Sequence, residues 1–256
     1  MFRLNVSDGY DSYTQLNNLY VKTITGEHGA TTMQGKCMCN VTTMVMSLLY
    51  SGWKLPSSDV WKQPEDDLCD FIISRCIKPD SWFAIHYPAY YKDWYINGAS
   101  WNAKTQKWEE PIWPNELHDV LAHYTCEWIG CTNAVKFTDQ LAVRDFFKQI
   151  YYNRCAIPTS VAWGKIVGHV VSMVGVDAEN EPALVDWMNG AENCPIVNVI
   201  YDDPYNKFVK EDQRYDHTKS GNDNIISMED FYHCVKPLDK KLIKYAHVIA
   251  KPAALA

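Results

Sequence analysis

The sequence lacks the features that mark membrane, secreted and nucleic-acid-binding proteins. Nowhere do about 18 apolar residues follow one another, and the N-terminal segment MFRLNVSDGYDSYTQ has neither an apolar core nor a small-residue cleavage site. With 24 Lys and Arg against 31 Asp and Glu, the net charge is -7, and no segment concentrates the basic residues. We therefore expect no membrane span, no signal peptide and no nucleic-acid partner.

Several common frameworks are also missing. Nine cysteines are an odd number, and they are scattered, with one Cys-x-Cys pair, instead of being spaced as a small disulfide framework. The chain has no phosphate-binding Gly-x-x-x-x-Gly-Lys-Ser/Thr loop and no Gly-x-Ser-x-Gly elbow of a serine hydrolase. These absences predict reduced thiols and synthesis in the cytoplasm, with later release or incorporation into a virion left open.

The composition nevertheless supports a folded core. The chain has 256 residues, 47% of them hydrophobic, and no internal repeat or low-complexity linker, so we expect one domain over residues 1–256. Aromatic residues are dense between Trp82 and Trp128. Such rings can line a groove for sugars or extended peptides, but packing in a bulky core is their more frequent use, and we expect it here.

The first half of the chain reads as mainly helical. After Cys39, apolar residues recur with helical spacing up to Gly52, at positions Val41, Met44, Val45, Leu48 and Leu49. This pattern predicts a buried helix that begins at Cys39. Further helices are predicted over about 65–76, 116–124 and 138–152, the last with Thr138 as its N-cap.

The second half has the character of a sheet. Residues 156–163, 168–176 and 196–201 are short apolar or β-branched runs, which predict central strands. The polar, turn-rich stretch 202–224 predicts a surface excursion. Helices followed by an antiparallel sheet form the α+β layout, which is the fold class that we expect.

Three residues carry the most specific chemistry. Cys39 stands at a helix start, where a thiolate is favoured, although a buried small hydrophobe is the plainer interpretation. His169 lies in an apolar run, where an imidazole needs a partner, and a backbone carbonyl would suffice. Asp203 follows the next strand and could accept the Nδ1 proton of His169, although Asp-Pro also opens ordinary turns.

The order of these motifs resembles a known family. Cys39-Asn40-Val41-Thr42, then Gly-His-Val-Val-Ser-Met-Val-Gly-Val-Asp around His169, then Asp-Asp-Pro-Tyr around Asp203, is similar to the bacteriocin-leader (double-glycine) peptidases and their relatives. The resemblance covers residues 12–206 in motif order. It implies a papain-like fold with Cys39 as nucleophile, His169 as general base and later acid, and Asp203 as the residue that orients His169.

The family also places a Gln before the nucleophile, whose amide donates to the oxyanion. Gln15 resembles the Ser-Gln-x-x-Asn segment of the family and is favoured, whereas Gln34 has the shorter spacing of the leader peptidases. The sequence departs from the family in having Asn40 where transporter-linked members have Gly. The 33 residues between His169 and Asp203 are also more than the compact motif needs, which predicts an insertion over about 179–192.

Other chemistry in the same residues is less well supported. Cys37 and Cys39 with His28 suggest zinc, but no second pair stands at ligand spacing, so we expect neither metal nor another cofactor. Cys37 is the weaker candidate nucleophile, because it precedes the apolar register of the helix. No role is assigned to the remaining histidines, which are His86, His118, His123, His217, His233 and His247.

The sequence therefore predicts a cysteine peptidase that acts on a peptide or on the peptide part of the bacterial cell wall. A free-standing format without a membrane span or nucleotide-binding loop resembles phage-encoded or bacterial stand-alone members of the family. The alternative is a papain-fold binding or structural protein of a virion or host interface, without turnover. Acyl transfer to an amine uses the same residues and stays open.

Overall fold

The computed structural model describes residues 1–11, 13–26, 29–34, 38–96, 100–102, 105, 107–109, 112–163, 166–183, 195–210, 212–235 and 242–252. The α-helices in these ranges are α1 Cys39–Tyr50, α2 Pro64–Cys76, α3 Trp82–His86, α4 Pro88–Tyr91, α5 His118–Trp128, α6 Val143–Tyr151 and α7 Met228–Val235. Short 3-10 turns cover Gln15–Asn17 and Pro114–Glu116, and a π turn covers Lys92–Ile96. No helix in the described ranges is long and apolar enough to cross a membrane.

The strands form one large antiparallel sheet and several hairpins. They are β1 Phe2–Asn5, β2 Val21–Gly26, β3 Gly29–Gln34, β4 Ser100–Asn102, β5 Lys107–Glu109, β6 Val135–Thr138, β7 Leu141–Ala142, β8 Ile157–Trp163, β9 Ile166–Ala178, β10 Ile196–Asp202, β11 Lys207–Val209, β12 Arg214–Asp216, β13 Asn224–Ser227, β14 Leu242–Ile243 and β15 Ala246–Ile249. The large sheet has the order β13-β10-β9-β8-β15-β6, and β1 pairs with the C-terminal part of β9.

Helices cover both faces of this sheet. On one face, Ser47 of α1 hydrogen-bonds Ser172 at 2.7 Å between hydroxyl oxygens, and Val174 packs in a cluster with Met46. On the other, Met173 packs in a cluster with residues of α6 and α7, including Phe146. Successive side chains of a strand point to opposite faces of the sheet. Because helices cover both faces, both sets of β9 side chains are buried, and β9 is apolar almost throughout.

The end of α1 follows from one glycine. Gly52 has φ +87°, its N–H donates to Leu49, and the N–H of Trp53 donates to Leu48. This is a Schellman cap, which requires a left-handed residue just past the helix. A second core joins α1 to α2 and α5 and takes in most of the aromatic residues between Trp82 and Trp128.

The α+β class and the antiparallel sheet are confirmed, but parts of the sequence interpretation are wrong. The described part of the first half contains five strands among its helices. β1 pairs with β9, which is remote in sequence, whereas β2 with β3 and β4 with β5 form local hairpins. Thr138 does not cap α6: it ends β6, and its hydroxyl accepts from the N–H of Gln140. The predicted insertion over about 179–192 lies largely outside the described residues.

Candidate active site

Cys39 is the first residue of α1 and is partly exposed. The N-cap residue, Met38, makes no side-chain hydrogen bond to the helix. The first backbone N–H groups of a helix have no intrahelical acceptor, and together with the helix dipole they favour negative charge nearby. Cys39 therefore lies beside these unsatisfied N–H groups.

His169 lies on β9, opposite Val161 of β8, and only 7% of its surface is exposed. The preceding residue, Gly168, has φ +79°, a conformation that L side chains rarely adopt, and no atom lies within 4 Å of where its Cβ would be. The pairing of β8 and β9 shifts register between Val161 and Trp163. The backbone conformation thus explains why a glycine precedes His169: only glycine adopts this φ without strain at the turn in β9.

Asp203 follows β10 and holds the imidazole by a short hydrogen bond. The distance between His169 Nε2 and Asp203 Oδ1 is 2.7 Å. The sequence interpretation had Asp203 accept the Nδ1 proton, and this is wrong: the approach from the end of β10 meets the Nε2 side of the ring. Nδ1 is therefore the ring nitrogen left for another partner, and the ring orientation is fixed by the carboxylate.

The thiol of Cys39 completes this group. Burial alone would lower the pKa of His169, but the charge and hydrogen bond of Asp203 and the hydrogen bond and charge of Cys39 raise the pKa of His169 to about 10. These partners therefore favour the protonated form of the imidazole. A cationic imidazolium beside a cysteine is the arrangement that stabilises a thiolate.

The two candidate glutamines lie in different environments. Gln15 is buried, and its backbone N–H donates to the carbonyl of Pro204, the residue after Asp203. Three residues on, Asn18 Nδ2 donates to Thr42 Oγ1 in the first turn of α1 at 3.0 Å. The turn that carries Gln15 thus links the Asp203 segment to the start of α1, whereas Gln34 is an exposed residue of β3.

Tyrosine residues that the sequence analysis missed surround the His169–Asp203 pair. The backbone N–H of Tyr205 donates to Asp203 Oδ1 at 2.8 Å, and Tyr215 Oη donates to Oδ2 at 3.1 Å. The ring of Tyr215 lies edge-on to the imidazole, with centroids 5.8 Å apart. Asp-Asp-Pro-Tyr could have indicated Tyr205, but no local pattern indicates Tyr215.

The segment 202–224 is therefore more than a surface excursion. It contains the hairpin of β11 and β12, which carries Tyr215 over the site. Gly221 closes the segment: its carbonyl accepts the N–H of Asp203 at 2.9 Å, and a Cβ on Gly221 would collide with the Asp203 backbone. The segment is polar in composition but packs closely at this point.

A small cavity opens beside Cys39. Its volume is about 300 Å³, and it is lined by residues that include Asn40, Ile112, Glu116, His118, Ser160 and Val170. The side-chain amide of Asn40 donates to the carbonyl of Asn115, which secures the wall next to Cys39. A second cavity, of about 830 Å³, lies between β11, β13 and α7, and none of Cys39, His169 and Asp203 lines it. The smaller cavity is thus the one that can hold a group next to the thiol.

Two of the three residues in the predicted zinc site are not described by the structure. Cys37 and His28 lie outside the described residues. In the part of the chain that the structure describes, no three His, Cys, Asp or Glu side chains are grouped so that they could hold a metal ion. The described residues of the site are those of nucleophilic and acid-base chemistry.

Comparison with protein-family models, with curated proteins and with solved structures gives no significant match. The chemistry of the site is therefore inferred from the geometry of Cys39, His169 and Asp203 and from the resemblance of their motifs.

Proposed function

We propose that the chain is a papain-like cysteine peptidase that hydrolyses amide bonds. The observation that carries the proposal is the hydrogen-bonded pair of His169 and Asp203, with Cys39 in contact with the imidazole and at the first position of α1. A buried imidazole held by a carboxylate on one side and a thiol on the other is the triad arrangement, recognised by geometry and roles. The chain order Cys, His, Asp matches the motif resemblance.

The reaction follows from the protonation states of the site. The Cys39 thiolate attacks the amide carbonyl, forming the carbon–sulfur bond and an oxyanion, for which the side-chain amide of Gln15 and the backbone N–H of Cys39 are the proposed donors. His169 gives its proton to the leaving nitrogen as the carbon–nitrogen bond breaks. Neutral His169 then takes a proton from water, which attacks the thioester, releases the carboxylic acid and restores the thiolate and imidazolium.

The proposed substrate is a peptide or the peptide part of the bacterial cell wall. We propose an enzyme of phage or bacterial origin, made in the cytoplasm and acting after release or within a virion, on the motif resemblance alone. Loss of turbidity of purified peptidoglycan, compared with cleavage of a peptide library, separates the two substrates. Transfer of the acyl group to an added amine, measured by mass, tests the acyl-transfer variant.

The test of the activity is a pair of cysteine variants. Cys39→Ala should abolish cleavage, because no other described thiol contacts His169. Cys131→Ala, which removes another partly exposed thiol far from the site in sequence, should keep it. Cleavage by Cys39→Ala equal to that by the unmodified protein would contradict Cys39 as nucleophile. Full biological activity of Cys39→Ala without any cleavage would instead support the papain-fold binding or structural protein.

A further inference from the structure

The cavity beside Cys39 has a histidine in its wall that the proposed mechanism does not use. His118 is the first residue of α5 and lines the cavity together with Cys39. Its Nδ1 lies 2.9 Å from Nε2 of His247, a residue of β15 that is fully buried. The other ring nitrogen of His118, Nε2, is therefore the one that remains for a ligand.

The ring of His118 is held rigidly. It stacks on Phe137, with centroids 4.8 Å apart and planes 7° apart, and on Tyr245, with centroids 5.4 Å apart and planes 18° apart. His247 stands directly opposite Phe137 in the pairing of β15 with β6, so one pair of strands supplies both the stack and the hydrogen bond. Because the ring is already fixed, a ligand that binds to Nε2 loses little additional side-chain entropy.

Burial favours the neutral form of both imidazoles. Burial lowers the pKa of His118, with Asp119 acting in the opposite sense, and burial lowers the pKa of His247 well below the ordinary value. The position of His118 at a helix N-terminus also disfavours a positive charge. One of the two nitrogens in the His118–His247 hydrogen bond must then be the donor and the other the acceptor.

The surroundings of His247 decide which one donates. Its Nδ1 is buried and has no hydrogen-bond partner among the described residues. An orphaned buried N–H is rarer in proteins than an under-satisfied acceptor, so the proton of His247 belongs on Nε2, where it has a partner. His247 Nε2–H then donates to His118 Nδ1, which places the proton of His118 on Nε2.

We propose that His118 Nε2–H is a substrate-binding donor in the cavity beside Cys39 and that the cavity takes a side-chain amide, that of Gln or Asn. The cavity offers a complementary acceptor in Glu116, whose Oε2 accepts the N–H of Trp113 at 2.9 Å. A carboxylate accepts up to about four hydrogen bonds, so the bond from Trp113 does not by itself prevent Glu116 from accepting one from the NH₂ of an amide. Ile112 and Val170 supply apolar walls, and about 300 Å³ is room for one such side chain.

The inference deepens the proposed function and rests on it, but the position of the proton can be measured without turnover. Long-range ¹H–¹⁵N NMR of the unmodified protein distinguishes the two neutral tautomers of each histidine. We expect His118 and His247 both to be protonated at Nε2. Protonation of His118 at Nδ1 would overturn the inference, whatever the activity of the protein.

Peptide binding is the second test of the proposal. Pairs of short peptides that differ only by Gln or its near-isostere Met, at each position of the peptide in turn, are titrated into Cys39→Ala by calorimetry. We expect Gln to bind more tightly than Met at one position, and Cys39→Ala/His118→Phe to lose about two- to tenfold of that preference, the worth of one neutral hydrogen bond. Phe keeps the stack with Phe137 and Tyr245.

A folding defect in the Phe variant can be recognised separately. His118→Gln retains an amide donor and should retain part of the preference, and thermal unfolding reports the fold of each variant. Equal binding of Gln and Met peptides at every position by Cys39→Ala would overturn the inference. Absence of cleavage by the unmodified protein, with the binding preference present, would overturn the peptidase function and leave the donor assignment standing.

Discussion

Tyr215 Oη donates a hydrogen bond to Asp203 Oδ2 at 3.1 Å, on the oxygen that His169 does not use. The Asp203 carboxylate is thereby held at both oxygens, since Oδ1 accepts from His169 and from the Tyr205 N–H. A carboxylate fixed in this way keeps the imidazole in one orientation. Tyr215 is thus a positioning residue for the candidate triad.

Substitution Tyr215→Phe tests this role. Loss of the hydrogen bond from the tyrosine hydroxyl to the buried carboxylate should lower the free energy of unfolding by about 1–3 kcal/mol. It should also lower kcat about threefold or more, with little change in KM. The matched control is Tyr205→Phe, because Tyr205 contacts Asp203 through its backbone N–H. Equal kinetic effects of the two substitutions would show that the Tyr215 hydroxyl does not position the carboxylate.

Asp203→Asn should separate the charge of the carboxylate from its shape. Asp203 raises the pKa of His169, whose burial acts in the opposite sense, so Asn should let the imidazole lose its proton at a lower pH. We expect kcat to fall at least about tenfold and the NMR titration of His169 to move downward. An unchanged titration would contradict the assigned partner.

The same pair gives stability a pH dependence. The pKa of His169 is raised from 6.5 to about 10 in the folded protein, so its contribution to stability is fully present below pH 6.5 and is lost as the pH rises through 10. Urea unfolding should therefore give a free energy of unfolding that falls across this window. His169→Gln should remove that part of the fall, and an identical slope in both proteins would contradict the assignment.

Gly168→Ala should affect both the fold and the site. Its φ of +79° is strained for alanine although the space for a Cβ is open, and the cost should be about 1–2 kcal/mol. Gly9→Ala is matched, because Gly9 has φ +87° and open space but is remote from His169 in sequence. Both substitutions should lower stability similarly, whereas Gly168→Ala alone should reduce cleavage. Equal cleavage by both variants would show that the Gly-His step does not position the imidazole.

Local sequence patterns were enough to predict the helix and strands that carry the candidate residues. The apolar spacing after Cys39 and the glycine at position 52 predicted α1, and the apolar runs predicted β8, β9 and β10. Those elements are stabilised by side chains near in sequence or by continuous burial, so their signal is local. The α+β class followed from their order.

Remote pairing explains what the sequence did not reveal. Tyr215 reaches Asp203 through a short hairpin, and His118 meets His247 across 129 positions, so neither contact leaves a periodic trace. The Nε2 contact of His169 depends on the direction from which β10 ends beside β9, which a sequence does not encode locally. The different burial of Gln15 and Gln34 likewise leaves no local trace in the sequence.

The most direct measurement of the central claim is the reactivity of Cys39 at mildly acid pH. A limiting amount of iodoacetamide at pH 6, with the labelled peptides identified by mass, should modify Cys39 at least about tenfold faster than Cys131, because the proposed mechanism places a Cys39 thiolate beside the His169 imidazolium. His169→Gln should remove this preference. Even labelling of Cys39 and Cys131 in the unmodified protein, or a preference that survives His169→Gln, would contradict the Cys39–His169 pair.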